Sequence, residues 1–495
     1  MTFWKFPTNT IPTIPHCPMS LFTNIHRTGL TLLVAAGLLS ACKSSGTDDP
    51  APTTPTTPTP PTNPGPPPIP QYGTPFAGVP NRQDAVMYQV NMRAFSQTGN
   101  FAGVTARLDS IRDLGVNVLY LMPIYPIGTD SKSVNSPYAV KDYKSVNAEF
   151  GSLDDLRALV DGAHQRNMAV MLDWVANHTS WDNPWITQHP DWYQKNAAGA
   201  ITPVSNNGTT YNDVAQLDFT NAAMRLEMIS ALKSWVYTAN VDGFRFDYAD
   251  FQPNDFWKQA TDTLRNIKSH KLLLLAEGTR AANFSSGFDY NFGFGWYGGI
   301  YQVYKNGASA VSNFDALNNS EYNGASGTQQ VVRYITNHDV NGSDGTPVTL
   351  FGGKEGAMSA FVVTALYKGV PMIYNGQETG MSQAITFPFT SVKVRWGRNP
   401  DVKRAYKQLL AARAGSAALR VGTPTPLSTR NVCAFTKTAG SEQAFVVANT
   451  RNSPQVYTLP ANLANTTWTD ALTGNSVTLD TQLALPAYAY LVLKK

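Results

Sequence analysis

Cysteine is scarce in this sequence: its 495 residues include only three, Cys17, Cys42 and Cys433. The first two lie in or before the N-terminal leader described below. Cys433 would therefore be alone in the mature chain, which excludes an intramolecular disulfide. Because Cys433 lies in the apolar context Asn-Val-Cys-Ala-Phe, we expect it to be a small buried hydrophobic residue.

Charged residues are also few, at 15% of the chain, with a net charge of +4. No block rich in lysine and arginine stands out, so the composition gives no reason to expect a nucleic-acid partner. The composition does not exclude a polar, uncharged binding partner. Aromatic residues make up 11%, including 10 Trp and 22 Tyr, and such rings stack on sugars as well as pack in cores.

The apolar run from Gly29 to Ala41 is too short to span a bilayer. Arg27 precedes this run, and the small residues at its C-terminal end are typical of a signal peptide. The closing segment Leu39-Ser-Ala-Cys42 resembles the lipobox of bacterial lipoproteins. We expect residues 1–41 to be the signal peptide, with translation starting at Met1 or Met19. Cys42 would then be lipidated and would anchor the exported protein to a bacterial membrane, unless an ordinary signal peptide ends beside an incidental cysteine.

Proline and threonine dominate residues 48–70, a composition typical of extended spacers. We therefore assign residues 42–71 to a lipidated linker. Globular patterns begin near Tyr72. The predicted domains are a barrel over residues 72–417, with an inserted subdomain over residues 179–220, and a C-terminal β-sandwich over residues 418–495.

Strand and helix patterns alternate through the predicted barrel, as in a closed (β/α)8 TIM barrel of the α/β class. Ser152 and Asp155 mark the start of the clearest helix, over residues 152–167. The other predicted helices cover residues 222–237, 255–267, 357–367 and 402–414. The predicted strands cover residues 85–91, 116–122, 169–173, 242–247, 272–277, 288–292, 330–337 and 370–374.

Short alternating strands separated by turn residues follow residue 418, a pattern typical of an antiparallel β-sandwich. These predicted strands cover residues 432–436, 444–449, 455–459, 467–470 and 488–493.

Acidic residues end several of the apolar runs in the barrel region. Runs of this kind are typical of parallel strands buried on both faces, and reactive groups in such barrels collect where the strands end. The alternative is that each acid only caps the next loop or helix. The residues in question are Asp173, Asp247, Glu277 and Asp339, with Arg245, His178 and His338 beside them.

Short motifs around these acids occur in an order that resembles the signature segments of the α-amylase family, glycoside hydrolase family 13. Further segments at residues 137–143, 216–219 and 369–378 are also similar, so the resemblance covers residues 72–495. The signature segments are Asp173-Trp-Val-Ala-Asn177-His178, Gly243-Phe-Arg245-Phe-Asp247, Glu277 after an apolar strand, and Asn337-His338-Asp339.

The resemblance implies a retaining glycosidase with Asp247 as nucleophile and Glu277 as acid/base, a pair that must lie about 5 to 5.5 Å apart. Arg245, two positions before Asp247, would favour its ionised form. The apolar strand before Glu277 would help to keep Glu277 protonated. Asp339 corresponds to the third carboxylate, which grips sugar hydroxyls.

Other site residues are also implied by the resemblance. His178 and His338 correspond to histidines that bind sugar hydroxyls, Tyr138 to the aromatic platform under the sugar, and Asp173 to a residue that orients Arg245 or the site. Asn177 matches a calcium ligand in many relatives. Asp250-Phe251 stands where relatives with that calcium often carry Lys-His, which argues against the ion and changes the leaving-group side of the cleft.

We therefore expect a monomeric hydrolase of α-1,4-glucosidic bonds in starch, maltodextrin or maltooligosaccharides, endo-acting and without an organic cofactor. The other activities that the residues leave open are those of a cyclomaltodextrinase, a neopullulanase or a glucanotransferase. A different class, a non-catalytic glucan-binding lipoprotein, should lack at least one working carboxylate, whereas Asp247, Glu277 and Asp339 are all present.

Overall fold

A computed structural model of the chain describes residues 69–206, 208–305, 307 and 311–495. The predictions for the signal peptide, for Cys42 and for most of the Pro/Thr linker lie outside these residues. Within the described part, no helix has both the length and the apolar character needed to cross a bilayer.

Strands occur throughout the described part of the chain, and short ones predominate. They are β1 Met87–Val90, β2 Val118–Leu121, β3 Ala169–Trp174, β4 His178–Thr179, β5 Pro203–Asn206, β6 Thr209–Gln216, β7 Gly243–Phe246, β8 Leu273–Ala276, β9 Tyr290–Phe292, β10 Gln330–Arg333, β11 Val370–Tyr374, β12 Thr423–Pro426, β13 Val432–Ala439, β14 Glu442–Asn449, β15 Gln455–Thr458, β16 Thr467–Asp470, β17 Ser476–Thr478, β18 Gln482–Leu485 and β19 Tyr490–Lys494.

Helices alternate with the strands up to residue 421. They are α1 Met92–Phe95, α2 Phe101–Thr105, α3 Leu108–Asp113, α4 Leu153–Gln165, α5 Trp185–Gln188, α6 Ala222–Ala239, α7 Asn254–Arg265, α8 Ala281–Ser285, α9 Phe294–Tyr304, α10 Asn313–Glu321, α11 Val340–Ser343, α12 Pro347–Leu350, α13 Gly353–Leu366, α14 Pro400–Ala414 and α15 Ala417–Val421.

The predicted barrel is confirmed. Strands β1, β2, β3, β7, β8, β9, β10 and β11 form a closed ring, and every neighbouring pair in it is parallel. All eight strand predictions fall on these strands. The predicted start of α4 is also found, because Ser152 and Asp155 form a reciprocal capping box there.

Side chains on the barrel strands alternate between the interior and the helix layer, as the period of two requires. The interior core includes Met87, Met171, Leu273 and Leu275, whereas residues such as Leu172 and Leu274 belong to the outer core under the helices. This alternation decides which residues reach the mouth of the barrel.

Between β3 and α6, the chain forms a small three-stranded sheet in the order β4-β6-β5. This sheet lies within the segment predicted as an insertion, except that its first strand begins at His178. Because β4 starts only a few residues after β3, the insertion is joined directly to the mouth of the barrel.

The C-terminal region is antiparallel, as predicted. A six-stranded sheet in the order β12-β13-β14-β19-β16-β17 faces a second layer of only two strands, β15 and β18. Phe445 from the larger sheet and Tyr457 and Leu485 from the smaller one share a core. The opposite face of the larger sheet packs on the barrel, since Cys433 and Phe435 belong to the barrel's outer core. Cys433 is buried, as expected.

Candidate active site

The alternation that fills the barrel also carries the predicted acids to its mouth. On β8, Leu273 and Leu275 point inward, so Glu277, two residues further, continues on the same side. Arg245 pairs with Asp173 across β7 and β3, which puts the two side chains next to each other on parallel strands. Asp247 follows β7 in the same register.

Arg245 lies at the centre of this group and is fully buried. Its Nη1 atom donates to Asp173 Oδ1 at 2.5 Å and to Asp247 Oδ1 at 3.0 Å. Its Nη2 atom forms an ion pair with Glu277 Oε1. A single guanidinium thus connects three carboxylates, and the spacing between Asp247 and Glu277 is limited to the span of that one group.

The surroundings of Glu277 differ from the apolar ones that the sequence suggested. Its Oε1 atom meets Arg245, and its Oε2 atom accepts a hydrogen bond from the backbone N–H of Tyr248 at 2.8 Å. The apolar residues of β8 lie below, in the barrel interior, while the carboxyl group extends past the end of the strand. Arg245 therefore contacts both acids, so its charge does not by itself favour the ionised form of Asp247 over that of Glu277.

Burial raises the pKa of Asp247 well above its usual value; Arg245 opposes this, and the charges of Glu277, Asp173 and Asp339 add to it. Burial likewise raises the pKa of Asp173, although Arg245 opposes the shift. One cation cannot balance this many carboxylates in a site of low dielectric. Asp173 and Asp247 therefore hold a proton more tightly than isolated carboxyls would.

Asp339 follows β10 at the start of α11. Its carboxylate is the most open of the three predicted catalytic acids, with 30% of the side chain exposed against 11% for Asp247 and 10% for Glu277. Burial nonetheless raises the pKa of Asp339 to about 6. All three acids thus reach solvent at the mouth of the barrel.

His338, Tyr138 and Asp173 form a hydrogen-bonded chain. Gln89 Nε2 lies 2.8 Å from His338 Nδ1, and the Tyr138 hydroxyl lies 2.7 Å from His338 Nε2. Since an amide nitrogen can only donate, Nδ1 accepts and Nε2–H donates to Tyr138. The Tyr138 hydroxyl then donates to Asp173 Oδ2 at 3.1 Å. Burial lowers the pKa of His338 to about 4, which keeps this tautomer neutral.

The Tyr138 ring stacks on the His338 ring, with centroids 5.5 Å apart, and lies 5.9 Å from the Arg245 guanidinium carbon. It is half-buried at the same mouth as the acids. His178 approaches from β4: its Nε2 atom is 3.2 Å from the Tyr138 carbonyl oxygen. Burial lowers the pKa of His178 to about 4. The structure thus brings Tyr138, His178, Arg245 and His338 together around the acids.

Two residues of this site were not predicted. Gln89 holds His338 twice, because its Oε1 atom also accepts the His338 backbone N–H at 3.3 Å. Tyr120 donates its hydroxyl to Asp173 Oδ2 at 2.8 Å. The sequence carries a signal for Gln89, which is a polar residue inside the otherwise apolar strand β1. Tyr120 carries none, since a tyrosine is ordinary in a buried strand.

The residues around Asn177 do not fit calcium. Its Oδ1 atom accepts hydrogen bonds from Gln252 Nε2 at 3.0 Å and Gln216 Nε2 at 3.1 Å, so amide N–H groups point at the oxygen that would bind the ion. Calcium prefers several oxygen ligands, with carboxylates among them. Asp182 is instead bonded to Lys141 and Thr129, and no cluster of acidic, histidine or cysteine residues suited to a metal occurs in the described residues.

Asp250, predicted to change the leaving-group side of the cleft, contacts residues of the loop that follows β8. Its carboxylate accepts from the Thr279 N–H at 2.8 Å and from Asn283 Nδ2 at 2.9 Å, and it pairs with Arg280 at 3.3 Å. A side chain on Gly278 would be excluded, because a Cβ there would lie 2.1 Å from Asp250 Oδ1. Asp250 thus fastens the loop after β8 to the loop after β7.

Comparison with known families identifies two matches. The catalytic domain of α-amylases matches residues 79–199 and 208–439. The C-terminal domain of maltogenic amylases matches residues 425–492. Together they account for nearly all of the described chain.

Individual relatives and structures are similar over most of the chain. The α-amylase MalA of Haloarcula japonica is 25% identical over 439 residues, which cover 82% of this chain and 62% of MalA. A cyclomaltodextrinase of Geobacillus thermopakistaniensis is 25% identical over 421 residues, 80% of this chain and 70% of that protein. The crystal structure of an α-amylase from Lactobacillus plantarum superimposes with a TM-score of 0.74 and 29% identity, covering 84% of this chain and 99% of that one.

Proposed function

Since the chain belongs to the α-amylase family, we propose that it is a retaining glycoside hydrolase that cleaves α-1,4-glucosidic bonds in starch, maltodextrin or maltooligosaccharides. The observation that carries this proposal is the bridge that Arg245 makes between Asp247 and Glu277. Retention by double displacement requires two carboxyl groups close together, and one guanidinium between them keeps this pair close.

In the first step, an Asp247 oxygen attacks the anomeric carbon while Glu277 gives its proton to the departing glycosidic oxygen. The sugar is then an ester of Asp247, and Glu277 is ionised. In the second step, Glu277 takes a proton from water as the water oxygen attacks the anomeric carbon and releases Asp247. Atoms and charges balance, because one water molecule is consumed and the proton on Glu277 is restored.

The proton supply is consistent with the electrostatics of the site. Several carboxylates surround one cation, and both nearby imidazoles are neutral because burial lowers the pKa of His178 and His338 to about 4. Burial raises the pKa of Asp173, Asp247 and Asp339, so these carboxyls keep protons to a higher pH than isolated ones would. In the reactive form that double displacement requires, the proton is on Glu277. Arg245 stabilises the carboxylate of Asp247 as the leaving group of the second step.

Asp339, His338 and Tyr138 would hold the sugar whose bond is cut. Asp339 is exposed enough to accept hydrogen bonds from sugar hydroxyls, and such bonds accelerate the reaction when they strengthen in the transition state. His338 is fixed in one orientation by Gln89. Tyr138 presents its ring beside Arg245.

The test is a digest of maltooligosaccharides and starch in which the anomeric form of the first products is recorded by NMR. Retention predicts α-anomers, and β-anomers or an absence of cleavage would reject the proposal. Parallel digests of pullulan and cyclodextrin separate an α-amylase from a cyclomaltodextrinase or neopullulanase. The similarity to a cyclomaltodextrinase is the reason to include them, and endo-action would appear as mixed short products from starch.

We also propose that the protein is exported and lipid-anchored through Cys42. The support is Leu39-Ser-Ala-Cys42 at the end of an apolar run, followed by a Pro/Thr spacer long enough to separate a catalytic body from a membrane. Expression with labelled palmitate in a bacterial host, followed by membrane fractionation, tests this. Cys42→Ser should lose the label and leave the membrane fraction, whereas a labelled Cys42→Ser product would contradict the assignment.

A further inference from the structure

Two aromatic rings stack in the loop that follows β7. The Tyr248 and Phe251 centroids are 3.5 Å apart and the rings are nearly parallel, at 11°. Tyr248 is buried, whereas Phe251 is 48% exposed and is one of few large hydrophobic residues in the described chain with so much surface in water. About half of the Phe251 side chain is thus in contact with solvent, while its ring stacks on the buried Tyr248.

This loop is fixed to the proposed acid/base. The Tyr248 N–H donates to Glu277 Oε2 at 2.8 Å, and the Ala249 N–H donates to the Glu277 carbonyl oxygen at 3.0 Å. Tyr248 also has a positive φ of 54°, a conformation that a non-glycine residue adopts only at a cost. The turn that carries the ring stack is thus joined through its backbone to Glu277, the residue that gives its proton to the leaving group.

Other side chains of the loop point elsewhere. Asp250 is bonded to Thr279 and Asn283, and Gln252 is bonded to Asn177. Phe251 is thus the side chain of this turn that stays available to a ligand. Leaving it exposed is unfavourable by the hydrophobic effect, and a ligand with an apolar face would remove that cost.

We propose that Phe251, backed by Tyr248, is a stacking platform for the glucose residue on the leaving-group side of the bond that is cut. A pyranose ring carries C–H groups on its faces and hydroxyls at its rim, so a flat aromatic face binds it without needing hydrogen bonds. The inference rests on the proposed function. On this side of the bond, the sugar is bound by apolar contact. A bound sugar would therefore compete well with water in accepting the glycosyl group from Asp247.

The experiment compares two donors that differ only on the leaving-group side. Maltooligosaccharides place glucose there, whereas α-maltosyl fluoride releases fluoride and places no sugar there. Phe251→Ala should lower kcat/KM for maltooligosaccharides about tenfold more than for the fluoride, a typical effect of losing one stacking ring. With maltose added as acceptor, the ratio of transfer to hydrolysis should also fall.

Controls separate this role from a structural one. Phe251→Tyr keeps the ring and should retain the wild-type ratio of kcat/KM for the two donors. Phe251→Leu keeps an apolar side chain without a flat face, so it should show the loss expected of Phe251→Ala. It provides the test if Phe251→Ala does not fold. Leu226→Ala removes another exposed apolar side chain, one that is 60% exposed, and should leave kcat/KM unchanged for both donors. Equal losses on both donors, or none, would overturn the platform. Wild-type enzyme that cleaves neither donor would instead overturn the proposed function.

Discussion

Arg245 donates a hydrogen bond to Asp247, with Nη1 3.0 Å from Oδ1. Both residues come from the same strand end and point to the same side of the barrel, two positions apart. The same guanidinium also meets Glu277. We interpret Arg245 as the residue that holds nucleophile and acid/base at a fixed spacing.

Removing either acid should abolish cleavage of maltooligosaccharides, but the two variants should differ on an activated donor. Asp247→Asn has no nucleophile and should be inactive on both substrates. Glu277→Gln should lose roughly 10³-fold on maltooligosaccharides yet still react with α-maltosyl fluoride, because fluoride departs without a proton. Steady-state and burst kinetics on both donors measure this.

Asp242→Asn is the matched control for these variants. Asp242 lies at the other end of β7, where it accepts from His164 and from the Val170 N–H. This variant should lose stability and keep kcat. Maltooligosaccharide cleavage by Glu277→Gln at the wild-type rate would contradict the roles assigned here.

Activity should fall on the acid side of about pH 6. Burial raises the pKa of Asp339 to about 6, so Asp339 binds a proton as the pH drops through this region and loses the charge with which it holds the sugar. The pKa of His178 and of His338 is lowered to about 4, so neither imidazole titrates there.

The profile of kcat/KM against pH at several temperatures separates these groups. Carboxyl ionisation has a small enthalpy, so the midpoint of the acidic limb should shift little with temperature. A limb that shifts strongly with temperature, as imidazole ionisation does, would contradict the assignment.

Gln89 should act as a positioning residue for His338. Gln89→Leu removes the N–H that faces Nδ1 and should lower kcat/KM about tenfold, the cost of one unsatisfied buried group. Gln89→Glu replaces that donor with a carboxylate, which should raise the pKa of His338 and add a new limb to the pH profile.

Gln330→Leu serves as the control for Gln89, because Gln330 is a glutamine on β10 bonded to Tyr322 at the end of the barrel opposite the acids. It should leave the pH profile unchanged. A Gln89→Glu profile that coincides with the wild type would show that Gln89 only fills space.

Chelation should not destabilise the protein. Asn177 Oδ1 is held by the amides of Gln252 and Gln216, so EDTA should leave Tm unchanged. Gln252→Ala should lower the free energy of unfolding by about 1–3 kcal/mol, and calcium should not restore it. Gln259→Ala, at an exposed position of α7, is the control. A large fall in Tm with EDTA alone would contradict this view.

Much of the fold could be predicted because the barrel strands are short apolar runs that differ clearly from the amphipathic helices between them. Strand β11 was placed at its observed bounds. Helix α9 was missed because its sequence, Phe294–Tyr304, is apolar and aromatic with glycines and has no polar face to set a helical period. Edge strand β12, with two prolines, was missed because proline argues against a strand.

The site was predictable where a motif sits at a strand end, and less so where contacts cross the barrel. Asp173, Arg245 and Asp247 follow from the register of two adjacent strands. The polar surroundings of Glu277 do not follow from strand register, since they depend on how far Arg245 reaches across the mouth of the barrel. Gln89 and His338 are 249 residues apart in sequence, and only closure of the ring brings them together.

Trapping the sugar on Asp247 directly tests its role as the nucleophile. Glu277→Gln, mixed with α-maltosyl fluoride, should form the ester and hydrolyse it slowly because no general base activates water. Peptide mass spectrometry of the quenched enzyme should find one maltosyl group on the peptide that contains Asp247. A maltosyl group on another residue, or turnover of the fluoride without any covalent adduct, would show that Asp247 is not the nucleophile.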